Sequence, residues 1–180
     1  MKRFFALMIC IFMLFSFASC KSDDNVSGGE SKAVEAAKTI DIEAEADAII
    51  SKYSLSGGLR YSSLSTEAGK YLDETLVFDY YDEADFDSVA AYAVYIDQKK
   101  PTLPCEFGIF EMKDGADAES FKNFLEARIN AKIENAKSYP SVDTEPLKTA
   151  KFNIMGKYVW YCAVKGGNDD INSTLEGKLK

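Results

Sequence analysis

From Asp41 to Leu179 the apolar positions switch between helical and strand periods. Ile42, Ala46, Ile49, Ile50 and Tyr53 recur at helical spacing, with Asp41 where an N-cap belongs and Gly57-Gly58 beyond the end to stop a first helix. The stretch from Arg60 to Asp87 fits two patterns: Leu72, Leu76 and Tyr80 suit a helix, whereas Thr75-Leu76-Val77-Phe78 has the composition of a strand. Val89 to Ile96 is apolar on both alternating faces, as a central strand requires, and Lys99-Lys100-Pro101 ends it. Cys105 to Met112 forms the second arm of an antiparallel hairpin. A long amphipathic helix follows over about Asp117 to Lys137, its stripe made of Phe121, Phe124, Leu125, Ile129, Ile133 and Ala136. Tyr139-Pro140 and Glu145-Pro146 mark a loop. Two further strands flank Met155-Gly156, where glycine supplies the positive φ of a tight turn. Asn168 then caps a last helix with Ile171, Leu175 and Leu179 on its apolar side. Strands at hairpin spacing argue against a Rossmann-type fold. The expectation is an α+β domain over residues 39–180: an antiparallel sheet of about four strands in two hairpins, packed on the long helix, with shorter helices at the N- and C-terminal ends.

The pattern ahead of this domain is different. Lys2 and Arg3 precede an unbroken apolar run from Phe4 to Phe17, then come Ala18, Ser19 and Cys20. A helix over that run would rise only about 21 Å against roughly 30 Å of hydrocarbon, which fits a cleaved signal peptide over residues 1–19 better than a span. Phe17-Ala18-Ser19-Cys20 resembles the bacterial lipobox, in which the Cys is diacylated and becomes the mature N-terminus; Phe17 stands where Leu is usual. Lipid attachment at Cys20 is one outcome, and ordinary cleavage leaving a terminal thiol is the other. Both export the protein. Residues 20–38 are dominated by small and charged side chains and read as a flexible tether, able to extend to about 60 Å. The expected location is the outer face of the cell membrane, held by lipid.

Composition narrows the chemistry. The 180 residues contain no His, so no His-based catalytic relay, His-ligated zinc or imidazole pH switch can be built. Lys and Arg number 21 against 29 Asp and Glu, a formal charge of −8 that gives no footprint for nucleic acid. Loss of residues 1–19 would remove Lys2 and Arg3 and make the chain more acidic, which favours a domain held away from an anionic lipid surface. No phosphate loop, nucleophile elbow or clustered Cys ligand set is present, so no cofactor and no enzyme activity are expected.

A few residues invite a functional reading. Cys105 and Cys162 lie on strands of different hairpins, either as a disulfide, which needs Cα atoms within about 7 Å, or as two buried thiols. Glu106 is either a buried carboxylate contacting a ligand or a basic side chain, or a structural Glu that faces outward or is salt-bridged. Tyr158 and Trp160, with Tyr161, Tyr92 and Tyr95, form either an aromatic platform for glycan or peptide, or core. Asp79, Asp82, Glu83, Asp85 and Asp87 supply oxygen ligands but lack the spacing and central Gly of a calcium loop, so no metal is expected.

Glu106-Phe107-Gly108-Ile109-Phe110 before Lys113-Asp114, the amphipathic helix, Tyr139 and Gly156-Lys157-Tyr158-Val159 resemble the bacterial lipoproteins catalogued as domain of unknown function 4358. The likeness runs from about Asp41 to Leu179. It implies an exported, lipid-anchored protein of Gram-positive bacteria and supplies no activity. With the tether and the lack of a catalytic constellation, it leads to the expectation of a non-enzymatic binding or interaction module of the cell envelope, contacting an envelope protein or ligand. The alternative is a receptor for a small solute or peptide, serving a transporter.

Overall fold

The computed structural model describes residues 38–81, 86–98 and 104–180. The expected signal peptide, Cys20 and the expected tether up to residue 37 lie outside the described residues, as do Lys99-Lys100-Pro101 and the acidic residues Asp82, Glu83 and Asp85. The elements are α1 (Ile42–Lys52), β1 (Gly58–Ser62), α2 (Glu74–Tyr81), a 3-10 turn (Phe86–Ser88), β2 (Val89–Asp97), β3 (Glu106–Met112), α3 (Ala118–Ala136), α4 (Glu145–Lys148), β4 (Lys151–Met155), β5 (Tyr158–Ala163) and α5 (Asn168–Leu179). The fold is α+β. Its five strands form one antiparallel sheet in the order β1-β2-β3-β5-β4.

Both hairpins form as the pattern predicts, and β3 lies against β5 where they meet. Strands β2 and β5 are apolar on both faces because helices cover both sides of the sheet. On one face α2, α3 and Leu147 of α4 close over Val94, Ile96, Phe110, Val159 and Tyr161. On the other, α1 and α5 close over Tyr95, Phe107, Ile109, Trp160 and Cys162. Each large side chain buried in this way contributes about 1.5–3 kcal/mol.

Local chemistry explains where the helices start. Asp41 Oδ1 accepts from the backbone N–H groups of Glu43 and Ala44, both at 3.1 Å, and Asp117 Oδ1 accepts from Ser120 N at 2.9 Å. In the ambiguous stretch the helix prevails, since Asp73 Oδ1 accepts from Leu76 N at 2.9 Å and Leu76, Val77 and Tyr80 pack towards the core. Gly156 has φ +59 in the β4–β5 turn, as expected.

The sheet matches the expected one and adds a fifth strand, β1, at its edge. Two other expectations are corrected. Gly57 and Gly58 belong to that strand's approach to β2 rather than to the helix stop: a Cβ on Gly58 would lie 2.3 Å from the Ile96 carbonyl oxygen. Helix α1 ends instead through Ser54, at φ +50. Asn168 makes no capping bond at the start of α5. Its Oδ1 accepts from Val164 N at 2.7 Å, and its amide donates to the Pro146 carbonyl and Thr149 Oγ1, fixing the end of β5 to α4.

Candidate functional site

Helix α3 carries Arg128 and Lys132 one turn apart, at the border of its apolar stripe, so both long side chains reach over the same end of β3. There the first strand residue, Glu106, faces α3 and is only 1% exposed. Arg128 grips this carboxylate in a fork, Nη1 to Oε1 at 2.7 Å and Nη2 to Oε2 at 3.2 Å, and Lys132 Nζ donates to Oε2 at 2.6 Å. Arg128 Nε also donates to the Tyr80 carbonyl. Its guanidinium lies 4.8 Å from the Tyr81 ring centre and 5.8 Å from that of Tyr161, whose hydroxyls are 3.2 Å apart.

The electrostatics follow from these distances. Burial pushes the Glu106 pKa up, but Arg128 and Lys132 outweigh it and hold the carboxyl at about 2. Burial lowers Arg128 and Glu106 raises it more, leaving it above its ordinary value. For Lys132 burial and the neighbouring Arg128 prevail over Glu106, and its pKa falls below the usual lysine value. Glu106 is therefore a fixed anion, held by three charge-assisted bonds, and unsuited to proton transfer near neutral pH. Of its sequence readings, the salt-bridged one describes its contacts, and the outward-facing one is corrected because Glu106 points under α3 and is buried.

Two open grooves run along this half of α3. One, of about 540 Å³, lies between α2 and α3 and includes Phe78, Asp79, Tyr80 and Phe124. The other, of about 500 Å³, lies between α3 and the 139–147 segment and includes Pro104, Ala136, Tyr139, Val142 and Leu147. Lys132 and Asn135 line both. Each groove also has a large exposed aromatic: Phe78 is 61% exposed and Tyr139 64%.

The other candidate residues do not join this site. Tyr158 and Trp160 sit on the opposite face of the sheet, beneath α1 and α5. Trp160 Nε1 donates to Asn172 Oδ1 at 3.1 Å, and the Tyr158 hydroxyl accepts from Ile40 N at 3.4 Å. Tyr92 and Tyr161 belong to the α2–α3 side, and all five aromatics are buried, so the platform reading is replaced by core packing on two faces. The disulfide reading is corrected as well. Cys105 and Cys162 are both buried thiols. The β3–β5 register sets Phe107 opposite Cys162, and Cys162 Sγ lies 3.4 Å from the Asn168 carbonyl oxygen, to which it donates. Among the described residues no group of three or more Cys, Asp and Glu could hold a metal ion, and no helix is long and apolar enough to cross a membrane.

Sequence reasoning missed Arg128, Lys132 and Phe78 as site residues. The available signal was a buried-pattern Glu on a strand, whose charge requires a cation elsewhere, together with a basic pair at i,i+4 beside the stripe of the long helix. No protein-family model, no curated protein and no solved structure matches this chain.

Proposed function

We propose that the protein is an exported, lipid-anchored module of the bacterial cell envelope that binds a partner or ligand along α3 and catalyses nothing. The observation that carries this reading is the pair of grooves sharing Lys132 and Asn135, each with an exposed aromatic. Large exposed apolar side chains beside concave surface are costly to leave in water and characteristic of interaction sites. The Glu106–Arg128–Lys132 cluster anchors α3 to β3 beneath them, so the grooves have a rigid floor. The apolar leader ending at Cys20 and the polar tether support the address. The receptor alternative draws on groove volumes that fall within the ordinary range for small-molecule sites.

The test is capture from native membranes with the lipidated chain, compared with a Phe78→Ser/Tyr139→Ser variant. Both side chains are exposed, so folding should be little changed. The reading expects a specific partner or ligand that the double variant loses; recovery identical with both chains would contradict it.

A further inference from the structure

The ion cluster beneath the grooves contains two cations and one anion. Arg128 alone meets both oxygens of Glu106, so within this cluster, among the described residues, the charge of Lys132 is in excess. Lys132 Nζ has three N–H donors and gives one to Glu106, and its side chain is 36% exposed. In the α2–α3 groove an incoming anion would meet Asp79 as well. In the groove towards the 139–147 segment, Lys132 is the one charged lining residue among the described residues. Its walls are apolar, formed by Pro104, Ala136, Val142 and Leu147, with Asn135 and Ser141 as further hydrogen-bonding groups. One surplus positive charge in an apolar groove matches one negative charge on an apolar body, whereas a dianion would leave unbalanced charge against the walls. About 500 Å³ suits a small molecule.

We infer that this groove is a site for a small amphipathic monocarboxylate, its anionic end on Lys132 and its apolar part between Tyr139, Val142 and Leu147. The inference rests on the reading of the α3 grooves as the binding surface and names the ligand class for one of them.

The experiment is calorimetric titration of phenylbutyrate into the full lipidated chain in lipid nanodiscs, with empty discs as the partition control. Phenylbutyramide, of the same shape but neutral, and phenylbutylamine, a cation, are titrated alongside. Saturable binding of the acid is expected, about tenfold weaker for the amide, and absent for the amine. Lys132→Gln should weaken acid binding about tenfold while leaving the weak amide binding unchanged. Equal binding of acid and amide, no saturable heat with the acid, or acid binding unaffected by Lys132→Gln would overturn the inference. If Lys132→Gln fails to fold, the acid–amide comparison on the unaltered chain decides. Capture that still depends on Phe78 and Tyr139 while phenylbutyrate fails would remove the ligand class and leave the binding surface standing.

Discussion

Glu106 at the start of β3 and Lys132 on α3 are joined at 2.6 Å, although Arg128 already holds the same carboxylate with two bonds. Lys132 is thus the part of the cluster available to something outside the protein, and Glu106 with Arg128 is the part that holds the fold. Removing the anion leaves two like charges facing each other under α3. Glu106→Gln should therefore cost about 3–5 kcal/mol in urea unfolding, whereas exchanging all three residues for apolar ones of similar volume should come close to neutral. A Glu106→Gln midpoint equal to that of the unaltered chain would mean the cluster contributes no structure.

The same carboxyl sets an acid limb. Its pKa is about 2 in the folded protein against an ordinary value of 4.5, because burial is outweighed by Arg128 and Lys132. The unfolded chain therefore takes up a proton at a pH where the folded chain does not. The stabilisation is fully present above the ordinary value and is lost as pH falls towards about 2; that shift corresponds to about 3 kcal/mol. Urea midpoints measured from neutral to acid pH should fall through this window, and more shallowly in Glu106→Gln.

Gly108, in the middle of β3, lets two rings close over it. A Cβ there would lie 2.6 Å from Phe110 Cε2 and 2.8 Å from Tyr161 Cε1. These rings stack with centres 6.3 Å apart, and Tyr161 in turn touches Arg128. Gly108→Ala should cost about 1–3 kcal/mol in thermal or urea unfolding.

Burial pushes the Cys162 thiol up to about 12, with Lys151 opposing it only partly. Thiol reagents at neutral pH should leave Cys162 unlabelled in the folded protein. In denaturant without reductant both Cys105 and Cys162 should label, and protection of the pair until a reductant is added would reinstate the disulfide.

Much of the fold was legible because its signals are local. The β2–β3 and β4–β5 hairpins, the stripe of α3 and the Asp41 cap each depend on residues close in sequence. Strand β1 was not, since Gly-Leu-Arg-Tyr-Ser at a sheet edge is short and two apolar residues, Leu59 and Tyr61, are too few to establish a strand period. Thr75-Leu76-Val77-Phe78 left helix and strand both open, and tertiary packing with the Asp73 cap decides for the helix. The site was legible only in part. Glu106 stood out as a charge on a buried strand, but its partners come from a helix more than 20 residues away, and no spacing rule joins them. Tyr158 and Trp160 fit an aromatic platform by composition, but they lie in the core beneath α1 and α5, on the face opposite Tyr161 and Glu106.

The address rests on Cys20 and is directly measurable. Mass spectrometry of the mature chain should find an N-terminus at Cys20 carrying a diacylglyceryl group on sulfur, and Cys20→Ser should leave the leader attached and the protein unlipidated.

The central claim is that this domain acts through the surface along α3. Site-specific photo-crosslinking in native membranes tests it most directly, with a photoreactive aromatic placed in turn at position 78, at position 139 and at position 64. Leu64 is also exposed, at 75%, but lines neither groove. Adducts from positions 78 and 139 with none from 64 are expected; adducts from 64 alone, or equal adducts from all three, would contradict the account.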